Sequence, residues 1–346
     1  MSSTLIRNAP ASGSVREIRH GGRLREVARQ YGGRTSEWLD LSTGINPTSW
    51  PVPELPQAVW HRLPEPEDEE EACEAARQAW NVDPAAEIAV AGGTQAIINT
   101  LPHLFAEQPV AVLSTTYAEH AHRWQMGGHA VVAADRLETA TASARIVVVV
   151  NPNNPDGRLL SPDRLLETAR RLRARNGCLV VDEAYADVCE EFSLAARASA
   201  PGLIVLRSLG KFHGLAGARI GFALGHARMI DQVRRALGPW PAGGASLAIA
   251  RAALLDRTWR KRMQRVLGER RRALENVLDE AKLEVIGGTD LFLLVEDENA
   301  EALNERLLGH RILARRFETR PNALRFGLPG GTRALERLRS ALLDTP

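Results

Sequence analysis

The chain has 346 residues, 44% of them apolar and 25% charged, with 44 Lys and Arg against 42 Asp and Glu for a formal net charge of +2. This is enough to bury a large core, and two domains, or one large domain with an appendage, are expected of an ordinary globular composition. No apolar run reaches the ~18 residues of a membrane span, no signal-peptide pattern opens the chain, and its arginines lack interleaved aromatics, so a cytoplasmic protein without a membrane or nucleic-acid partner is expected.

Residues 1–19 show no periodic pattern and read as an arm. His20-Gly21-Gly22 precedes a predicted helix over 23–31, closed by Gly32-Gly33. The segment W-L-D-L-S-T-G-I-N-P then ends at Asn46-Pro47. Prolines at 47, 51, 53, 56, 64 and 66 leave an extended path with room for little more than one short helix. The acids of 67–71 open a helix reaching about Trp80, where carboxylates suit the dipole, so they read as a solvated helix start rather than a metal site.

From Ile88 the pattern changes to short apolar strands separated by helices. Strands are predicted at 88–90, 110–113, 130–133, 146–150, 178–181, 204–206 and 220–224. A helix runs from Gly92-Gly93-Thr94-Gln95 to near Phe105, and another from Ser161-Pro162 to about 175. Together these predict an α/β fold with a mostly parallel central sheet covered by helices on both faces. Beyond 227 come helices at 229–237 and 246–278, the second bent or interrupted, then strands at 282–285 and 290–295, a helix at 300–308, a strand at 323–327 and a helix at 332–343. This is the order of a smaller α+β domain. The expected division is 1–40 as arm and part of the small domain, 41–240 as the large domain and 241–346 as the small C-terminal domain.

Lysine occurs only at 211, 261 and 282, although the chain holds 44 basic residues. Lys211 lies in I-V-L-R-S-L-G-K-F-H-G-L-A-G-A-R at 204–219, an apolar, glycine-broken segment. Arginine cannot replace an amine that must lose its proton and attack a carbonyl; a surface or salt-bridged lysine is the other reading. Ligands of open α/β sheets gather outside the carboxyl ends of the strands. Gly93-Thr94, Tyr117, the 151–157 loop, Asp182 with Tyr185, and Ser208 with Lys211 all fall at such ends.

Backbone N–H groups near Gly93 and Thr94 can hold an anion or simply start a helix. Ser208 and Arg219 add a hydroxyl and a guanidinium. Asp182 either caps the next turn or keeps a heteroaromatic ring nitrogen protonated, which makes the ring an electron sink. Tyr185 and Asn154 would donate to a phenolate oxygen on that ring. No metal is expected: Cys73, Cys178 and Cys189 lack metal spacing, and His120 and His122 read as loop or surface residues. A G-x-S-x-G elbow for Ser-His-Asp hydrolysis is absent.

The pieces A-G-G-T-Q-A-I at 91–97, N-P-N-N-P-D-G at 151–157, D-E-A-Y at 182–185 and S-L-G-K-F-H-G-L-A-G-A-R at 208–219 resemble the fold type I family of pyridoxal-phosphate enzymes, in the branch that includes histidinol-phosphate aminotransferase. H-G-G at 20–22, I-N-P at 45–47, T-Y-A-E-H at 116–120 and L-G-P-W at 237–240 make the chain most similar, within that branch, to the threonine-phosphate decarboxylases of cobalamin biosynthesis. The resemblance implies pyridoxal 5'-phosphate as cofactor, bound as an imine by Lys211, with Asp182 on the pyridine nitrogen. It also implies Asn154 and Tyr185 on the phenolic oxygen, Tyr117 stacked on the ring, and Gly93, Thr94, Ser208 and Arg219 on the cofactor phosphate. Arg325 in A-L-R-F-G matches the arginine that clamps the substrate carboxylate; the residues alone allow a surface strand position. His20, Gly22 and Arg23 are expected near the substrate phosphate, Asn46 and Asn154 near its carboxylate side, and Arg158 is a weaker anion contact.

The implied reaction is decarboxylation of a small anionic amino acid, L-threonine O-3-phosphate, by a homodimer. An aminotransferase of the histidinol-phosphate type and a non-catalytic cofactor-binding relative are the alternatives. Relatives commonly carry a tyrosine before P-D-P that reaches the neighbouring subunit's cofactor phosphate. Here R-L-P-E-P puts Leu63 in its place, so that hydroxyl is not supplied.

Overall fold

The computed structural model describes residues 20–344, and the arm expected over 1–19 lies outside the described residues. In chain order the strands are β1 (Leu39–Asp40), β2 (Glu87–Ala91), β3 (Val110–Leu113), β4 (Val131–Ala134), β5 (Ile146–Val150), β6 (Cys178–Asp182), β7 (Leu203–Ser208), β8 (Gly221–Gly225), β9 (Glu284–Thr289), β10 (Phe292–Glu296), β11 (Ile312–Leu313), β12 (Arg315–Phe317) and β13 (Arg320–Gly327).

Seven strands form the central sheet in the order β2-β8-β7-β6-β5-β3-β4. Only β8 runs antiparallel to its neighbours, so β3 to β7 all end at one edge. The continuous apolar runs follow from burial on both sides, since every residue of β5 and β6 is buried. Alternation along each strand divides the core between two faces. Val149, Val181 and Val205 face one cluster, and Val148, Val180, Ile204 and Leu206 face the other. Lining them up makes each step along β6 or β7 a change of face.

The second sheet is antiparallel, in the order β12-β13-β10-β9, and β1 pairs in parallel with β11 through Leu39 and Ile312. The 151–157 loop meets β9 backbone to backbone: a Cβ on Gly157 (φ +70°) would lie 2.0 Å from the Gly288 carbonyl oxygen, so a side chain is excluded there.

Several boundaries differ from expectation for local reasons. The predicted helix over 246–278 is two, Gly244–Leu255 and Arg257–Glu280, split at Asp256, whose Oδ1 accepts the Trp259 N–H at 2.9 Å as an N-cap. The helix after Gly93 stops at Thr100, and Pro102 leads a 3₁₀ turn over Leu101–Leu104. Helices Ala118–Met126 and Leu137–Ser143 were not expected, because small and polar residues blur their apolar stripes. The two- and three-residue strands β11 and β12 are likewise too short to show a period.

Candidate active site

At the carboxyl edge of the central sheet a cavity of about 160 Å³ is lined by Gly93, Thr94, Tyr117, Asn154, Asp182, Tyr185, Ser208, Lys211 and Arg219, together with Gln95 and Leu215. The turn after β2, the helix after β3, the loop after β5 and the ends of β6 and β7 each contribute. Five separate motifs therefore converge on one volume.

Asp182 ends β6 and is 4% exposed. Its Oδ1 accepts the Ala184 N–H at 3.0 Å, and its Oδ2 lies 2.9 Å from His120 Nε2. His120 is 1% exposed, which corrects its expected loop or surface position. It lies one helical turn from Tyr117, and the two rings meet edge-on with centroids 5.9 Å apart. The three-residue step across a helix start was the available signal, but that helix was not foreseen.

Lys211 follows β7 across a turn in which Ser208 Oγ accepts the Gly210 N–H at 3.0 Å. Its Nζ stands 5.5 Å from the Tyr185 ring centroid. The Asn46 N–H donates to the Lys211 carbonyl at 3.0 Å, and Asn46 Nδ2 donates to the Phe212 carbonyl at 2.8 Å. Asn46 Oδ1 accepts the Thr48 N–H at 2.8 Å, so the Asn46 side chain braces the lysine loop. Arg219 adopts the left-handed conformation (φ 51°) and crosses Gly93 (φ +90°), where a Cβ would lie 2.6 Å from Nη2. Only glycine leaves the guanidinium that path.

Tyr117 donates its hydroxyl to Gln95 Oε1 at 3.0 Å. Burial pushes its phenol well above the usual range, and the nearby Glu119 and Asp182 carboxylates add to this, so the ring is neutral. Arg325, 4% exposed, donates to Asn154 Oδ1 and, at 2.8 Å, to the Ser42 carbonyl. Its Nε has no partner among the described residues. Burial lowers its pKa, against the pull of Tyr185.

Arg315 was missed in the sequence. It is the cross-strand partner of Arg325, and burial lowers its pKa, with Arg325 repelling its charge and Tyr117 among the groups that favour it. Two desolvated guanidiniums side by side call for anionic ligands. The signal was an arginine on each arm of a hairpin, hidden because A-R-R-F does not read as a strand.

His20 lies at the rim, its ring centroid 5.9 Å from that of Tyr117. The Gly22 N–H donates to Ser42 Oγ at 2.9 Å. Arg23 pairs with Glu26 at 2.5 Å on its own helix, and Arg158 donates to the Ser114 carbonyl at 3.3 Å. Of the residues expected to bind substrate, Asn154 lines the cavity, whereas His20, Gly22, Arg23, Asn46, Arg158 and Arg325 do not, nor does Arg315.

A family model for aminotransferase class I and II matches residues 37–342. A threonine-phosphate decarboxylase of Pseudomonas aeruginosa is 43% identical over 328 residues, 94% of this chain and 97% of that protein. Among solved structures, a histidinol-phosphate aminotransferase from Sinorhizobium meliloti in complex with pyridoxal-5'-phosphate superposes with a TM-score of 0.79 at 22% identity, over 98% of this chain and 97% of that one. An L-threonine-O-3-phosphate decarboxylase from Porphyromonas gingivalis gives 0.73 at 20% identity, over 88% and 98%. These two likenesses speak for the fold.

Proposed function

The chain belongs to the aminotransferase class I and II family, and from that premise we propose that it decarboxylates L-threonine O-3-phosphate to (R)-1-amino-2-propanol O-2-phosphate, in cobalamin biosynthesis, with pyridoxal 5'-phosphate as cofactor. The observation that carries this choice is the 43% identity with a threonine-phosphate decarboxylase across 94% of the chain. The cavity's groups alone would serve transamination equally well.

The donor set fits the cofactor. Lys211 offers an amine, Asp182 a buried carboxylate, Tyr185 and Asn154 polar groups for a ring oxygen, and Thr94, Ser208 and Arg219 a cluster for a phosphate beside Gly93. When bound, the cofactor supplies an aldehyde for an amine and a ring that accepts the electron pair left behind by carbon dioxide.

The protein's own groups do the remaining work. Asp182 is held in place by its contacts with His120 and the Ala184 N–H, and from there it would pair with the ring nitrogen. Tyr117 covers one side of the cavity and excludes water. Arg325 binds the substrate carboxylate, while Arg315, with His20 at the rim, binds the phosphate. Two anchored anions fix rotation about the bond between nitrogen and the α-carbon, and this decides which bond breaks. Lys211 Nζ returns a proton to the carbon that lost its carboxylate.

The reading includes a cytoplasmic homodimer. Among the described residues no helix is long and apolar enough to cross a membrane. Trp60 and Leu63, each 63% exposed, are apolar groups that a second copy would cover.

The test is carbon dioxide release by the purified protein with threonine phosphate, serine phosphate and histidinol phosphate, alongside glutamate formation from 2-oxoglutarate. Carbon dioxide from threonine phosphate without matching glutamate is expected. Glutamate formation at a comparable rate would replace the proposal with an aminotransferase.

A further inference from the structure

Glu119 lies outside the cavity lining, is 6% exposed, and still engages three side chains. Its Oε2 accepts Arg123 Nε at 2.8 Å and Gln95 Nε2 at 3.0 Å, and its Oε1 lies 3.0 Å from His20 Nε2. Gln95 is itself a relay, because its Oε1 accepts the Tyr117 hydroxyl at 3.0 Å. One carboxylate thus joins the aromatic wall of the cavity to a histidine from a distant part of the chain. Burial opposes its ionisation, but hydrogen bonds and charge from Arg123 and His20 outweigh that and hold its carboxyl below the usual range.

The other end of the same short segment is also fixed. A Cβ on Gly21 would lie 2.5 Å from the Ser42 carbonyl oxygen, and the Gly22 N–H donates to Ser42 Oγ. That carbonyl is the one that receives Arg325. Residues 20–22 therefore run along the rim from the helix carrying Glu119 to the strand carrying Arg325. Among the described residues the Glu119 carboxylate is the hydrogen-bond partner of the His20 ring, whose side chain is 43% exposed.

We propose that Glu119 is a positioning residue that seats His20 at the rim and, through Gln95, holds the Tyr117 ring, so that one carboxylate sets both the substrate-phosphate end and the aromatic wall of the site. This rests on the decarboxylase reading for the substrate but not for the contact itself. A purely structural role would make Glu119 matter for folding and leave substrate binding alone. A positioning role makes Glu119 and His20 act as one unit.

The experiment uses the holoenzyme with Glu119→Gln, His20→Gln and the double variant. It measures KM and kcat for threonine phosphate, the rate of trypsin cleavage after Arg23, and the melting temperature. Glu119→Gln keeps the size and an oxygen to accept the Gln95 amide N–H, but loses the charge. The expected result is a KM raised about tenfold, the size of one hydrogen bond to a charged group, with kcat within about threefold. Cleavage after Arg23 is faster in Glu119→Gln and His20→Gln alike, and the double variant adds nothing to either readout. Unchanged KM and cleavage in Glu119→Gln, effects that multiply in the double variant, or a loss confined to melting temperature would overturn the proposal. If the unmodified protein releases no carbon dioxide, the functional reading fails, and the cleavage rates still decide the role of Glu119.

Discussion

Neighbouring residues on β6 and β7 carry opposite kinds of polar chemistry on the two faces of the sheet. Asp182 and Ser208 line the cavity, whereas Glu183 and Arg207, one step away along each strand, turn into the core. Arg207 Nη1 donates to Glu183 Oε2 at 3.0 Å, and Nη2 lies 2.9 Å from Asp187 Oδ1, which also accepts Trp80 Nε1 at 2.8 Å. The guanidinium stacks 4.6 Å over the Trp80 ring. Glu183 further accepts Ser193 Oγ at 2.5 Å and the Leu194 N–H at 2.6 Å. Burial pushes the Glu183 carboxyl up, while Arg207, with help from His213 and Arg260, outweighs burial at Asp187 and holds it down. The cavity face keeps polar groups available to a ligand. The rear face spends its charges on one another, fixing the strand ends that present Asp182 and Ser208.

The sharpest way to break this contrast is Lys211→Ala, which removes the amine and is expected to lower turnover of threonine phosphate on the order of 10³-fold or more, with the melting temperature nearly unchanged. Retention of the normal carbon dioxide rate would end the mechanism. Arg207→Met leaves the buried Glu183 without its cation and Asp187 with the more distant Arg260, and should destabilise the protein by about 3–5 kcal/mol in denaturant titration. At low temperature the folded fraction keeps a normal KM. A variant of full stability and no activity would show that the rear cluster acts in the chemistry.

Arg325→Lys keeps the charge but loses the fork that spans Asn154 and the Ser42 carbonyl. A fall of roughly 100-fold in kcat/KM is expected, and steady-state kinetics with unchanged efficiency would contradict the substrate role. The smallest effect concerns His213, which is fully buried, finds no partner for either ring nitrogen among the described residues, and stacks 5.6 Å from Trp259. Burial lowers its pKa from 6.5 to about 4, with Asp187 pulling the other way. The unfolded chain then takes up the proton first as pH falls, so stability is present above 6.5 and lost between 6.5 and about 4. At pH ~5.5 the loss is ~1.4 kcal/mol, and His213→Phe should remove it from the difference between unfolding titrations at neutral and acid pH.

The cavity face was the more legible one. I-V-V-V-V and C-L-V-V-D announce buried strands, and glycine, asparagine, aspartate and lysine at their ends announce a ligand edge, because chemistry there demands particular residue types. The rear face was hidden. Arg207 and Glu183 look like charged residues interrupting a strand, and only the alternation of faces, with partners as distant in the chain as Asp187 and Trp80, makes them a buried cluster. His120 and Arg315 escaped for a related reason. Their roles depend on a short helix and a three-residue strand whose existence is decided by tertiary packing rather than local pattern.

The most direct measurement is borohydride reduction of the holoenzyme followed by peptide mass mapping. The account predicts the reduced cofactor attached to a single peptide, at Lys211, with no label at Lys261 or Lys282. Label on either of those lysines, or none at all, would contradict the assignment of Lys211 as the reacting amine.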